Sequence, residues 1–349
     1  VLGQRRFTTD VERVLFALVA NRAIAPVSKL AAAEWASNDV AITGLESMDE
    51  DQAYRAMDLL IDADTDAQVQ EAVFFAVADL LNLEVDLLFF DTTSTYFETE
   101  DADGFRRHGK SKDSRPDLPQ IVIGLAVTRE GIPVRCWVWP GNTNDNSILP
   151  EVKDGLRGWR LGRVVTVIDG GFSSNANLDY LRRAGGHWIA GEKMRDGSPD
   201  TEAVLSRQGR YQSVRDNLRV KEVRLDDGES GKRWIICHNP FEAERDRAQR
   251  DAALARVNDE LDRIATAWAR DRNKKRRRSD DEVHVKAECA LRDHPSLGRW
   301  VKQLKSGRLR IDTAKVRAEE RLDGKYLLST SDPDLSAEDV ALGYKNLLE

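Results

Sequence analysis

The sequence has no long uninterrupted apolar run. No window approaches the roughly eighteen continuous apolar residues that a membrane-spanning helix needs. The start of the chain also lacks the apolar core and the small-residue cleavage site of a signal peptide. Because both signals are missing, we expect a cytoplasmic protein with no membrane partner. The 349 residues are 41% hydrophobic and 32% charged, which is enough apolar material for about two or three domains.

Cysteine is scarce. The chain has three, Cys136, Cys237 and Cys289, and they are far apart. Their odd number and wide spacing give neither a disulfide framework nor a zinc-binding pattern. We therefore expect them to be reduced and to act as buried apolar side chains.

A positive net charge is also missing. The formal charge is −7, which argues mildly against a nucleic-acid partner. It does not exclude one, because local patches rather than the total charge decide such binding. Basic residues cluster at 106–115 and at 270–278.

Residues 1–84 have the apolar spacing of helices. Capping boxes are predicted at Thr9 with Glu12 and at Ser47 with Glu50. This region shows no catalytic constellation. A helical packing domain is the favoured interpretation, and a helical domain that binds DNA ends is the alternative.

The pattern of apolar runs and turn residues in 85–200 predicts a mixed α/β sheet. Short apolar runs at 85–90 and 164–168 indicate buried strands, and a hairpin is predicted from 121–128 and 132–139. Helices are predicted near 146–156 and 175–183, and a further strand begins at 187. The order is therefore strand, hairpin, helix, strand, helix, strand. The periodicity alone indicates only a mixed α/β sheet, and naming the fold requires sequence motifs.

Residues 201–335 are predicted to form an inserted module of β hairpins and one long helix at about 241–270. The helix has an apolar stripe, because its apolar residues recur every three or four positions. Short strands are predicted at 308–312 and 326–329. Residues 336–349 then begin the final helix of the core.

Two of the predicted strands lead directly into an aspartate. Asp91 follows the first strand and Asp169 follows the strand at 164–168. Ligands usually bind at the carboxyl ends of strands in open α/β sheets. If the two strands are neighbours, the carboxylates can share a divalent ion, and oxygen ligands without histidine or cysteine favour Mg²⁺ or Mn²⁺. Two such ions can activate a nucleophile and stabilise the leaving oxygen of a phosphodiester.

Four segments resemble the motifs of bacterial insertion-sequence transposases of the DDE superfamily. Residues 90–98 and 109–120 resemble the first motif region, and residues 140–145 and 167–173 resemble the second. The likeness extends over nearly the whole chain, and the motifs are long and specific.

The resemblance implies a ribonuclease-H-like catalytic domain with a β-rich insertion. It implies cleavage and strand transfer of transposon ends in double-stranded DNA, with two Mg²⁺ or Mn²⁺ ions as cofactors in the full-length parent protein, and a homodimer on the DNA. Carried over by position, Asp91 is the first catalytic, metal-binding aspartate and Asp169 is the second.

The third carboxylate of the family motif has no counterpart at the expected position. The motif consists of a tyrosine, a basic or apolar residue three positions later, and a glutamate seven positions after the tyrosine. Tyr344 and Leu347 fit the first two positions, and the glutamate would be residue 351. We therefore expect it just beyond Glu349 and expect the chain to be cut at both ends, so that this fragment alone is inactive. The other candidates within the chain are Glu349 in a shifted register, Glu319, Glu320 and Glu192.

The basic loop after Asp91 is the candidate DNA-binding segment. Lys112 and Arg115 are the predicted phosphate contacts, and the alternative is a solvated charged loop. The basic run 274–278 is a second candidate, although a charge run at a helix end is more often simply solvated.

Two other functions remain open. A haloacid-dehalogenase-type phosphatase, or another metal-dependent phosphatase or nuclease, also places an aspartate after an apolar strand. That phosphatase needs a second aspartate two residues later, where this chain has Thr93. A catalytically dead transposase fragment that only binds DNA is the non-enzymatic alternative.

Overall fold

A computed structural model of the chain describes residues 10–62, 66–225, 231–272 and 280–348. The chain divides into two compact units between Val164 and Val165. Each unit is described by itself. Among the described residues no single helix has the length and hydropathy to span a membrane. The helices Val11–Ile24 and Lys29–Asn38 reach that length and hydropathy only when they are taken together, and they are bent by 100° relative to each other.

The first unit begins with helices, as the apolar spacing predicted. They are α1 (Val11–Ile24), α2 (Lys29–Asn38), α3 (Glu50–Asp62) and α4 (Asp66–Leu81). The first three pack around a small apolar core that contains Val14, Leu18 and Ala53.

The capping box predicted before α3 is wrong by two residues. The backbone N–H of Asp49 donates to Gln52 Oε1 at 2.9 Å, and the N–H of Gln52 donates to Asp49 Oδ1 at 2.7 Å. The pair Ser47 and Glu50 makes no such reciprocal contact among the described residues. Before α1, Asp10 is the N-cap and accepts from the N–H of Arg13, while Thr9 lies outside the described residues.

The sheet of the first unit is an antiparallel meander. Its strands are β1 (Leu87–Tyr96), β2 (Gln120–Thr128) and β3 (Pro133–Pro140), in the order β3-β2-β1. α5 (Asp145–Gly155) follows β3. The hairpin and helix predicted from the sequence are confirmed.

β1 is longer than predicted, so Asp91 is not at its carboxyl end. The strand was expected to stop at Phe90, but pairing with β2 continues from Leu88↔Thr128 to Tyr96↔Gln120. Residues 92–96 are rich in threonine and aromatic side chains, which favour strands, and buried and exposed positions alternate there. The sequence did not predict this part of the strand, because its polar residues lie on the side that faces solvent.

The second unit starts with two parallel strands joined through a helix. β4 (Val165–Ile168) is followed by α6 (Asn175–Arg182) and by β5 (His187–Glu192), and Ile168 pairs with Ala190. The chain therefore has the predicted order of strand, hairpin, helix, strand, helix, strand. The predicted mixed α/β fold class is confirmed.

The remaining elements of the second unit alternate between strands and helices. They are α7 (Pro199–Ser206), β6 (Gln212–Arg215), β7 (Leu218–Val223), β8 (Arg233–His238), α8 (Pro240–Arg272), α9 (Asp280–Arg292), β9 (Val301–Gln303), β10 (Leu309–Ile311), α10 (Thr313–Glu320), β11 (Lys325–Thr330) and α11 (Ala337–Leu348). The strand order is β4-β5-β11-β8-β7-β6, with a separate β10-β9 hairpin.

The long helix predicted at 241–270 is confirmed as α8. Val257 and Ile264 from its apolar stripe are buried against Leu291 and Trp300, and Trp268 packs at the edge of the same cluster. The strands predicted near 308–312 and 326–329 are confirmed as β10 and β11. β11 lies between β5 and β8, so the chain after α10 returns to the main sheet of this unit.

Candidate metal and DNA-binding site

Asp91 is presented to solvent by the alternation of β1. Its neighbour Thr92 points the other way and is only 3% exposed. The Asp91 Oδ1 atom accepts the N–H of Thr92 at 2.7 Å. The strand therefore fixes the carboxylate locally and leaves it exposed enough to take a further ligand.

The side chain of Lys112, in the basic loop, lies next to the Asp91 carboxylate. Its Nζ lies 3.7 Å from Asp91 Oδ1 and donates to the carbonyl oxygen and, at 2.9 Å, to the hydroxyl of Thr92. Its backbone N–H donates to Ser94 Oγ at 2.9 Å. The predicted DNA-contacting lysine is thus an ion-pair partner of the first aspartate.

Thr92 connects this lysine to the start of α5. The Thr92 hydroxyl donates to Asp145 Oδ1 at 2.9 Å, and Asp145 is the first residue of that helix. Both residues lie in segments that resemble the family motifs, Thr92 in 90–98 and Asp145 in 140–145, but the sequence assigned no role to either. Only the fold shows that the two side chains are in contact.

The basic loop is held close to β3 by two glycines. A Cβ atom on Gly109 would collide with the carbonyl oxygen of Gly141, so the two backbones pass without room for a side chain. The Gln120 side chain also donates to that carbonyl at 3.0 Å. This close approach fixes the loop three residues before Lys112.

Arg115 is occupied within its own loop. It makes a two-pronged ion pair with Asp117, with the shortest contact at 2.8 Å, and its guanidinium lies 5.2 Å from the centre of the Tyr96 ring. Hydrogen bonding to Asp117 raises the pKa of Arg115, and the same contact lowers the pKa of Asp117. A phosphate would have to compete with Asp117 for this guanidinium.

Asp169 directly follows β4, as predicted, and is exposed. The hydroxyl of Tyr344 donates to its Oδ1 atom at 3.0 Å. Its backbone carbonyl accepts the N–H of Phe172, which closes a turn after the strand. The resemblance placed Tyr344 in the last motif, and the fold brings that motif to the second aspartate.

Tyr344 reaches Asp169 from α11. The ring is 6% exposed and is stacked on Tyr326 with centroids 6.3 Å apart. A Cβ atom on Gly191 would collide with the Tyr344 hydroxyl, so the glycine leaves the space that the tyrosine needs.

Two in-chain candidates for the third carboxylate have other partners. Glu192 forms an ion pair with Lys232 at 2.6 Å and accepts from Ser329 Oγ at 2.5 Å. Glu319 pairs with Arg195 at 2.7 Å, and this contact lowers the pKa of Glu319.

The other candidates remain predictions. Glu320 is exposed at the last position of α10. Glu349 and the basic run 274–278 lie outside the described residues.

The residues at the two aspartates fit a hard divalent cation. Both carboxylates are exposed oxygen donors, which Mg²⁺ and Mn²⁺ prefer. Within the part of the chain that the structure describes, no cluster of three or more acidic, histidine or cysteine side chains is present. That Asp91 and Asp169 are metal ligands stays a prediction.

Comparison with known proteins decides the family. The profile described as "Transposase DDE domain" matches residues 85–345. The chain belongs to this family. The match begins at the predicted start of the core and ends in α11, so it includes both aspartates, the basic loop and Tyr344.

Solved transposase structures show a weaker likeness. One is a piggyBac transposase synaptic complex with hairpin DNA, which shares 13% identity at a TM-score of 0.38 over 67% of this chain and 50% of that chain. Another is a Mos1 transposase paired-end complex with the left transposon end, at 8% identity and a TM-score of 0.22, over 53% of this chain and 60% of that chain. This chain therefore spans only about half of the first protein. No curated protein sequence matches it.

Proposed function

We propose that this protein is a DNA transposase that cleaves transposon ends and transfers the strands to a target. The observation that carries the proposal is the family match over residues 85–345. It is supported by the two exposed aspartates, Asp91 and Asp169, which the sequence resemblance assigns to the positions of the family's catalytic carboxylates.

The reaction that we propose depends on Mg²⁺ or Mn²⁺ held by Asp91 and Asp169. Bound metal would supply charge stabilisation for the attacking and leaving oxygens of the phosphodiester. The protein's own contribution is to hold the two carboxylates, through the Thr92 N–H at Asp91 and the Tyr344 hydroxyl at Asp169.

The proposed substrate is double-stranded DNA, and the proposed assembly on it is a homodimer. Lys112 and Arg115 are the candidate contacts to the backbone phosphates. Such contacts would position the DNA without reading its sequence, and the binding constant would fall as salt concentration rises. The proposed location is the cytoplasm.

The test is a cleavage assay on a duplex that carries the terminal sequences of the element encoding this chain. The protein is expressed from its complete gene and assayed with Mg²⁺, Mn²⁺ or a chelator. We expect metal-dependent cleavage that drops by roughly a hundredfold or more in Asp91→Asn and in Asp169→Asn. Lys305→Met, on an exposed turn of the second unit, is the control and should cleave normally.

Two results would contradict this function. Metal-dependent binding of the duplex without any cleavage would instead support a DNA-binding protein. Release of phosphate from a small phosphomonoester, lost in Asp91→Asn, would support a phosphatase.

A further inference from the structure

Lys112 has an unusual position for a residue in a solvent-facing basic loop. Its ammonium is directed inwards, against the Asp91 carboxylate at 3.7 Å and onto the Thr92 carbonyl and hydroxyl. The side chain keeps 41% of its exposure and the Asp91 side chain keeps 58%. The ion pair is therefore accessible to solvent and to an incoming ion.

The lysine is directed to this position by buried neighbours. Ser94, which accepts the Lys112 backbone N–H, is 5% exposed, and Thr92 is 3% exposed. Thr92 is in turn fixed by its hydrogen bond to Asp145. Three polar contacts from one strand thus hold both ends of the lysine, so its approach to Asp91 follows from the fold of the loop.

From this geometry we propose that Lys112 is the resident counter-cation of Asp91 and competes with the divalent metal for that carboxylate. The inference rests on the proposed metal site. A dication that approaches Asp91 meets the positive charge of the ammonium and must either displace it or bind beside it. Both routes lower the metal affinity, because like charges a few ångströms apart repel even in water. Lys112 thus lowers the affinity of the Asp91 site for the divalent metal.

The contacts of the lysine distinguish this role from a simple phosphate contact. An ammonium that served only DNA would gain nothing from the Asp91 carboxylate and would be screened by it. As the counter-cation, Lys112 neutralises Asp91 while metal is absent.

The experiment measures Mn²⁺ affinity of the purified chain by electron paramagnetic resonance and by calorimetry, without DNA. Lys112→Met and Lys112→Gln both remove the charge, and the glutamine keeps a donor for Thr92. We expect each to bind Mn²⁺ about three- to tenfold more tightly than the natural chain, because the removed charge lies about 4 Å away in a partly solvated site. The gain should shrink as the salt concentration rises.

Two further variants serve as matched controls. Lys112→Arg keeps the charge and should bind Mn²⁺ as the natural chain does. Lys110→Met makes the same change of charge two residues earlier, at an exposed side chain with no ion pair among the described residues, and should leave the affinity unchanged. Thermal unfolding of every variant checks that the fold is kept.

The outcomes separate this inference from the proposed function. Unchanged or weaker Mn²⁺ binding in both charge-removing variants would overturn the competition, and so would equal tightening in Lys112→Arg or in Lys110→Met. Asp91→Asn tests the metal site itself and should weaken the binding. If it does not, the metal site at Asp91 fails, and the role of Lys112 fails with it.

Discussion

The hydroxyl of Tyr344 occupies the space that a Cβ atom on residue 191 would fill, and Gly191 has no Cβ atom. The tyrosine hydroxyl reaches Asp169 only because position 191 carries no Cβ atom. The tyrosine ring is buried and stacked on Tyr326, so it cannot move aside without losing packing. The orientation of the second aspartate therefore depends on Gly191, the residue after Ala190, which pairs with Ile168 at the end of β4.

This pair gives a prediction at the scale of single residues. Gly191→Ala should lower the free energy of unfolding by about 1–3 kcal/mol, because the added methyl group overlaps the Tyr344 hydroxyl. Tyr344→Phe alone should cost about 1.5 kcal/mol, the lower end of the range for a hydrogen bond to a charged group, because Asp169 is exposed. Chemical denaturation measures both.

The double variant provides the control. In a Tyr344→Phe background, Gly191→Ala should cost less than it does in the natural chain, because the colliding oxygen is gone. Strict additivity of the two changes would show that the hydroxyl and the glycine do not share the space.

The strand pair β8 and β11 places a thiol deep in the second unit. Cys237 is 0% exposed and lies opposite Tyr326 in the register of these strands. Burial raises the pKa of the Cys237 thiol to about 12, with a hydrogen bond to Tyr326 opposing the shift. Burial also raises the pKa of Tyr326.

At the scale of the element, this predicts a loss of stability in alkali. The unfolded chain releases the thiol proton from about pH 9, whereas the folded chain keeps it up to about pH 12. The contribution of Cys237 is therefore fully present below pH 9 and decreases as the pH rises towards 12. The slope is about 1.4 kcal/mol per pH unit for one proton.

Denaturation curves at several pH values between 8 and 11 test this. Cys237→Ala removes the titrating thiol and should show a shallower loss of stability over the same range. The slope that remains in that variant reports Tyr326 and the other groups. An identical slope in both proteins would show that Cys237 is not the source.

The proposed metal site belongs to the scale of the whole molecule, because the sequence resemblance assigns it two aspartates from distant segments, Asp91 and Asp169. Under the proposed function both are ligands of the bound metal. A shared ligand set has a thermodynamic signature, since two residues that bind the same ion do not contribute independently.

We therefore expect Asp91→Asn and Asp169→Asn each to weaken the tightest Mn²⁺ site by roughly tenfold or more. The double variant should be hardly weaker than either single variant, because the same site is already lost. Calorimetry measures the stoichiometry and the affinity of all three. If either single variant left the tightest site unchanged, that aspartate would not be one of its ligands, which would contradict the proposed assignment.

Local patterns in the sequence were sufficient for much of the architecture. The spacing of apolar residues predicted the N-terminal helices and the long helix α8, and the apolar runs before Asp91 and Asp169 predicted β1 and β4. The motifs around these aspartates indicated the family that the profile match confirms. Such features depend on neighbours within a few residues, so the sequence alone determines them.

The boundaries were less accurate where polar residues adopt regular structure. β1 continues for five residues past Asp91 because its hydrogen bonds to β2 compensate for polar side chains. The capping box of α3 uses Asp49 and Gln52, since these residues rather than Ser47 and Glu50 flank the first turn.

Only the tertiary structure decided which groups meet at each aspartate. Tyr344 contacts Asp169 across 175 residues of sequence, and Lys112 is directed onto Asp91 through Thr92 and the start of α5. The sequence by itself determined that this chain carries two aspartates after apolar residues in a transposase-type order. Their partners depend on strand pairing and helix packing between distant segments, which no local period encodes.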